Sequence, residues 1–492
     1  MSLLTSLLRM RAADSGHAVR TSRLRHFHLS DRPLMLLPLR HPGPMARPLA
    51  VMLGTTPARP RLLVAPPSGS TIPVLTDLAA AVTDHIGTCQ QHSQYLAATS
   101  TRPARHRYTD APQILVPDPQ TAAFLSDLGR DLRFRPLHQG IDAARSVRRL
   151  GQWLTYFTDR AEIPGSPALI PLTRFLVMHW VTGQSPLEDE DLATLLAWID
   201  PPHHAASGYE AALAAQDPAA LHRPAGPATG AAFDNERLEP LFDAYADSGT
   251  ADQPRILQEL QPLLATYLQP AWDLMWQAYT LLQALPEAES TPRRWKQECG
   301  TFTEMSTYLS QGGPPQPTRD QAVGAALRLT LREQAGAAFR AERAIDDPFA
   351  RAELRTAGEA VAATVTAVAP EHLTRGPTGR AQWRPRLTLS TTDPVYLDPG
   401  SYLACHTHRK ARYRIREITP TDSETLLELE ITAGMNTVAR PNHAVLPAPG
   451  DRLVFTTAPD RHRMPELPSR DLTPWTHGGP PADTPDDCDE HP

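Results

Sequence analysis

Residues able to do chemistry gather at a few places along this 492-residue sequence. One is Cys405, His406, Thr407 and His408. Thiolate and imidazole are zinc ligands. On an extended strand, however, Cys405 and Thr407 face one way while His406 and His408 face the other, so the four cannot converge on one ion. No second ligand pair follows at finger spacing, and Cys89 with His92 is a lone pair of the same kind. The expectation is no metal and no cofactor.

A second place is the run from His406 to Arg416. Arg412, Arg414 and Arg416 alternate with Tyr413 and Ile415, so a strand here would turn its apolar side inward and line three guanidiniums along its outer face. Arg409 and Lys410 fall in the turn before it. A guanidinium donates two parallel hydrogen bonds to a phosphate, and a basic strand face on a small barrel makes a nucleic-acid platform. Arg409, Lys410, Arg412, Arg414 and Arg416 are therefore the candidate binding residues. Exposed stacking aromatics are scarce beside them. The competing reading is a solvated strand whose arginines pair with Glu424, Glu428 and Glu430 on the next one.

Two further clusters have structural explanations. Glu188, Asp189, Glu190 and Asp191 suit a helix N-terminus, where acidic side chains complement the dipole; a magnesium site would need more carboxylates and a phosphate-bearing substrate. His203 and His204 follow Asp200-Pro201-Pro202 on a loop, where paired imidazoles bind metal or move protons but more often decorate a surface. His179, amid Phe175, Leu176 and Trp180, reads as a satisfied core histidine.

Missing motifs narrow the chemistry. The sequence holds only two lysines, Lys296 after Trp295 and Lys410 after Arg409. Neither completes a phosphate-binding loop, a restriction-type nuclease core, a kinase or a Ser-x-x-Lys acyltransferase. There is no Gly-x-Gly-x-x-Gly, no Gly-x-Ser-x-Gly and no His-Glu-x-x-His. No catalytic residue is assigned.

The elements that must position these residues are broken up by 51 prolines, about twice ordinary usage. Residues 1–30 are basic and expected to be poorly ordered. Over 31–140 an α/β module is expected. It has strands at Leu34–Leu39, Leu49–Leu53, Leu62–Ala65 and Gln113–Val116, and helices at 74–87 and Thr121–Leu132. Residues 141–376 read as mainly helical, with a Pro/Ala/Gly linker at 217–233. One helical spacing runs through Leu169, Leu172, Phe175, Leu176, His179 and Trp180. Ser185-Pro186-Leu187-Glu188 reads as the start of another helix. Pro270 should kink or divide a helix over Ile256–Leu285. Arg319–Arg343 and Pro348–Val368 read as an αα-hairpin. Residues 377–458 turn to period two, with five strands at Arg386–Ser390, Tyr402–Thr407, Ala411–Ile418, Leu426–Thr432 and Arg452–Thr456, a small β-barrel. The Pro-rich acidic tail, 459–492, should be disordered.

Charge is unevenly spread. Residues 1–150 hold nineteen arginines, nine aspartates and no glutamate, about +10, and the rest carries about −16. Such asymmetry suits a polyanion partner, or internal pairing of the two halves. Four dispersed cysteines, Cys89, Cys299, Cys405 and Cys488, suit a reducing compartment. No apolar run approaches the length of a membrane span, and Leu3, Leu4, Leu7 and Leu8 precede the basic Arg9 and Arg11, the reverse of a secretory signal. A cytoplasmic location without membrane contact is expected.

The stretch from His179 and Trp180 through Pro202, together with Gly226–Asn235, resembles an uncharacterised family of long Ala/Arg/Pro-rich bacterial proteins. The resemblance would cover most of the chain and implies a bacterial source; no activity or site residue comes with it.

The sequence thus predicts an α+β multidomain protein with a basic N-terminal α/β module, a large helical middle, a small C-terminal β-barrel and a disordered acidic tail. The leading functional expectation is a non-catalytic interaction or adaptor protein with a protein partner, associated with nucleic acid through basic surfaces. One alternative is a metal-dependent hydrolase or nuclease built from dispersed Asp, Glu and His. The other is a purely structural protein–protein scaffold.

Overall fold

A computed structural model describes residues 2–41, 47–100, 103–135, 141–216, 227–249, 251–317, 322–375, 379, 381–437 and 440–458. The chain is α+β and forms two compact units, residues 1–316 with 343–360, and residues 317–342 with 361–492. The acidic tail, Cys488 and most of the 217–233 linker lie outside the described residues.

The first unit begins with helix α1 (Leu3–Ser15) and strand β1 (Val19–Arg20). The three apolar runs that follow become β2 (Leu34–Arg40), β3 (Pro48–Gly54) and β4 (Arg61–Val64), an antiparallel meander. Helix α2 (Ile72–Cys89) leads to a two-stranded ribbon, β5 (Ser93–Leu96) and β6 (Arg105–Tyr108), and then to β7 (Ile114–Val116), which returns parallel to β2. Asp118 caps α3 (Pro119–Leu132) by accepting from the Thr121 N–H, as its position before Pro119 dictates. Helix α4 (Ile141–Ala161) precedes β8 (Leu169–Pro171), parallel to β7. The sheet order is β4-β3-β2-β7-β8.

Both faces of this sheet are covered, which is why its strands read as unbroken apolar runs. Leu34, Leu36, Val51, Ile114 and Leu169 pack with α2, α3 and α4 on one side. Met35, Leu37, Met52, Leu115 and Ile170 point to the other. There they meet α5 (Leu172–Leu176), which leads into β9 (Trp180–Val181), α6 (Leu192–Ile199) and further helices. After α7 (Gly208–Gln216) come α8 (Ala231–Phe233), α9 (Glu239–Asp247), α10 (Gln253–Gln283) and α11 (Thr291–Ser310). Leu264, Trp272 and Met275 of α10 fill that second core, and Cys299 and Phe302 of α11 join the first. The boundary expected near residue 140 therefore does not divide the fold. The sheet is completed by β8 and covered by later helices, because its two apolar faces need more helical surface than residues 31–140 supply.

Residues 2–30 differ from the expectation of poor order. Ser2 caps α1, Gly16 ends it at φ +67°, and β1 pairs antiparallel with β9. The helix is held less by apolar burial than by polar ties: Arg9 to Asp189 at 3.0 Å, Arg9 to the Gln184 carbonyl at 2.7 Å, and Thr5 to Glu353 at 2.7 Å. Close approach adds to this, since Gly183 sits so near Ala13 that a Cβ there would lie 2.6 Å from the Ala13 Cα.

Other helical readings are also corrected. Leu169–Trp180 is not one helix but β8, α5 and β9 in succession; the helical spacing holds across α5, where Arg174 and Val177 are exposed, and the flanking apolar residues belong to strands. Ser185 and Glu188 do exchange hydrogen bonds, yet they close a 3₁₀ turn over Glu188–Glu190, and Asp191 caps α6. Helix α10 is not divided at Pro270, running on through both Pro262 and Pro270.

The expected αα-hairpin is half right. Helix α12 (Ala322–Asp346) is followed by α13 (Pro348–Thr356), but Gly358, at φ +73°, ends helical structure and β10 (Ala360–Ala369) begins. Val361, Thr364, Val365, Thr366 and Val368 are β-branched and favour the strand. After a ribbon of β11 (Leu373–Arg375) and β12 (Ala381–Trp383) come β13 (Arg386–Thr391), β14 (Tyr402–Cys405), β15 (Arg412–Pro420) and β16 (Thr425–Ala433). A short ribbon of β17 (Asn436–Thr437) and β18 (Arg440–Pro441) precedes β19 (Arg452–Thr457). The barrel expected near the C-terminus is present and closed, in the order β10-β13-β16-β15-β14-β19. Strand β10 is its sixth member, the one the Ala-rich composition concealed. Leu387, Leu389, Leu403, Tyr413, Leu429 and Phe455 fill the interior.

Candidate functional site

The barrel's arginine strand is β15. Tyr413 and Ile415 are buried in the barrel while Arg412 and Arg414 are half-exposed outside it, the alternation the sequence implies. Past Ile415 the register shifts, and Arg416 occupies a bulge. The neighbouring strand supplies the counter-charge. Arg414 stands opposite Glu430, Arg416 Nε lies 3.9 Å from that carboxylate, and Arg386 on the far side of β16 lies 2.9 Å from Glu428. Arg414 also lies over the Tyr402 ring, 5.9 Å from its centre. Arg412 donates to the carbonyls of Arg409 and Ala411, both at 2.9 Å. Arg409 is half-buried and Lys410 exposed in the preceding turn. Arg412, Arg414 and Arg416 thus lie along one strand with glutamates interleaved among them, and Arg409 and Lys410 lie in the turn before it.

Strand β14 ends at Cys405 and the chain bends over residues 406–408. Thr407 Oγ1 bridges the buried Cys405 Sγ at 3.0 Å and His408 Nδ1 at 3.2 Å. Among the described residues no three His, Cys, Asp or Glu side chains are placed to share a metal ion.

The acidic run is consumed by folding. Asp189 is buried and accepts from Thr182 Oγ1 (2.6 Å), Gln184 Nε2 (3.1 Å) and Arg9 Nη2 (3.0 Å). Burial raises its pKa despite those donors. Asp191 accepts from the N–H groups of Ala193 and Thr194. His204 lies at the rim of a cleft of about 530 Å³ between α6, α7 and α10, walled by Leu196, Ala211 and Leu274.

Another buried polar constellation has no local sequence signature. His26 Nε2 donates to Asp347 Oδ2 at 3.1 Å, and Ser22 Oγ lies 3.5 Å from that same nitrogen. Ser, His and Asp together invite comparison with a nucleophilic triad, but the geometry is wrong. A triad needs the carboxylate on one ring nitrogen and the hydroxyl on the other. Here both meet Nε2, Nδ1 has no partner among the described residues, and Ser22 donates to the Leu24 carbonyl. His26 is wholly buried, so no substrate reaches it. His179 stacks on His26 with ring centres 6.1 Å apart, and neither of its nitrogens is hydrogen-bonded. It is a core histidine, as expected, but not a satisfied one; burial drives its pKa down to about 3. Around the pair, Asp346 accepts from Ser290, Arg294 donates to the His26 carbonyl, and Glu287 holds His28 at 3.1 Å and Arg25 at 3.9 Å. A second closed cluster centres on Glu298, which accepts from Arg160 (2.6 and 3.0 Å) and Ser166 (2.9 Å).

These features define a two-unit α+β protein whose ionisable clusters serve the fold, with a small closed barrel bearing a charge-interleaved outer face. Comparison of the chain with known protein families, with curated proteins and with solved structures finds no match. No helix among the described residues is long and apolar enough to cross a membrane.

Proposed function

We propose that this chain is a non-catalytic interaction protein of the cytoplasm that associates with nucleic acid and works as an adaptor beside a separate enzyme. One observation carries the reading: the basic surplus of the first 150 residues lies at the surface. Arg11, Arg23, Arg32, Arg40, Arg59, Arg105 and Arg130 are exposed, while the clusters rich in Ser, His, Asp and Glu are closed. Surface guanidiniums release counterions when they meet phosphate, so binding should weaken steeply with salt. The test is fluorescence anisotropy of labelled DNA and RNA against full-length protein across a salt series. Sub-micromolar binding with a log–log slope of several charges supports the reading; no binding at low salt overturns it.

A second reading, a structural protein–protein scaffold, is favoured by α1, whose Leu3, Leu7 and Met10 recur at helical spacing and are 66%, 51% and 69% exposed. It requires a stable complex that survives high salt and loses affinity on Leu7→Glu.

A further inference from the structure

We infer that the β5–β6 ribbon is the surface that meets nucleic acid, and that its ligand is the major groove of a DNA duplex. The inference rests on the nucleic-acid reading and names its site.

Cross-strand register sorts the ribbon's side chains. Gln94 faces Arg107 and Leu96 faces Arg105, while Ser93 faces Tyr108 and Tyr95 faces His106. With a period of two, Gln94, Leu96, Arg105 and Arg107 share one face and Ser93, Tyr95, His106 and Tyr108 the other. On the second face Tyr108 anchors the ribbon, packing on Phe302 with ring centres 5.4 Å apart and donating its N–H to Thr303 Oγ1 at 3.0 Å, while Ser93, Tyr95 and His106 on the same face are exposed. Beyond that anchor Tyr95 is 64% exposed and rests against His106.

The arginine face is different in kind from the barrel's. The Arg105 side chain is exposed and has no hydrogen-bond or ion-pair partner among the described residues. No acidic residue occurs between Asp84 and Asp110, so nothing on the ribbon neutralises it, whereas Glu428 and Glu430 stand among the barrel arginines. The residue types also match one another. Arginine reads guanine and glutamine reads adenine, each through two hydrogen bonds in the major groove, an apolar side chain meets the thymine methyl, and that groove admits a two-stranded ribbon. On this face Arg105 is exposed, Leu96 is half-buried, and the half-buried Gln94 and Arg107 side chains are paired with each other; a duplex that takes over that pairing meets all three kinds of contact on one face.

The test uses full-length protein and a labelled random-sequence duplex, with its single strand as comparator, at low and moderate salt. Arg105→Gln alone disturbs no internal contact and should weaken duplex binding several-fold. Arg105→Glu with Arg107→Glu should weaken it at least about tenfold and lower the salt slope by about two. Arg412→Glu, Arg414→Glu and Arg416→Glu together should change it little. Unaltered thermal melting verifies folding. If the wild type binds duplex and both ribbon variants bind like it, the ribbon is not the site, although the nucleic-acid reading survives. Binding confined to the single strand removes the groove. No binding of either by the wild type at low salt overturns both.

Discussion

His26 and Asp347, 321 positions apart in the chain, meet at 3.1 Å with side-chain exposures of 0% and 3%. The contact fixes the segment after β1 to the start of α13, because Asp347 also caps that helix by accepting from the Phe349 N–H at 2.9 Å. It is a structural clasp whose parts look catalytic.

Removing one partner leaves the other buried without compensation. Asp347→Ala leaves a buried donor unpaired, at about 1–3 kcal/mol, and removes a helix cap, at about 1 kcal/mol, both read as a lower urea midpoint. Burial alone would raise the Asp347 pKa; the hydrogen bonds from His26 and the Phe349 N–H, with the Ser22 hydroxyl close by, outweigh it and hold the carboxyl below its ordinary range. The stabilisation is therefore full above the unfolded pKa near ~4 and lost as pH falls through the lower folded value. A variant as stable as wild type would refute the clasp.

His179 acts in the opposite chemical sense over a higher pH window. Buried and neutral, it titrates at about 3 in the fold and near ~6.5 when unfolded. The unfolded chain therefore takes up a proton first, and stability falls as pH drops below about 6.5, by about 2 kcal/mol at pH ~5. His179→Phe removes the titrating ring and should flatten that slope, measured by denaturation at several pH values. An unchanged slope would assign it to other groups.

Gly183→Ala tests the ordered N-terminus. The new methyl would lie 2.6 Å from the Ala13 Cα and 2.7 Å from the Trp198 ring, so α1 must move. Overpacking of this kind costs about 1–3 kcal/mol. Limited proteolysis should cut the variant within α1 faster than wild type, while cleavage elsewhere keeps its rate.

Burial pushes the Cys89 thiol up to about 11 and the Cys299 thiol up to about 12. Thiolate is the reactive form, so neither should be alkylated by iodoacetamide at neutral pH until denaturant unfolds the chain. Mass mapping of alkylated peptides reads this directly, and rapid native labelling of either would contradict their burial.

The sequence by itself determined the elements whose signal is local. The unbroken apolar runs of the sheet, the period-two runs of five barrel strands, the Asp118-Pro119 start of α3 and the α+β class all follow from neighbouring side chains. So does the alternation of Tyr413 and Ile415 with their flanking arginines. What those signals lacked was partners. Only the tertiary structure brought β8 into the sheet begun at Leu34, turned Ala360–Ala369 into the sixth strand of a barrel, and ordered the N-terminus against Asp189 and Glu353. It decided between the two readings of the barrel arginines by setting Glu430 against them, and it left Arg105 unopposed. The physical reason is the same in each case. Periodicity reports which side of an element is apolar, whereas the worth of a charge depends on what lies opposite it. In this fold those opposites are distant in the chain, as with His26 and Asp347.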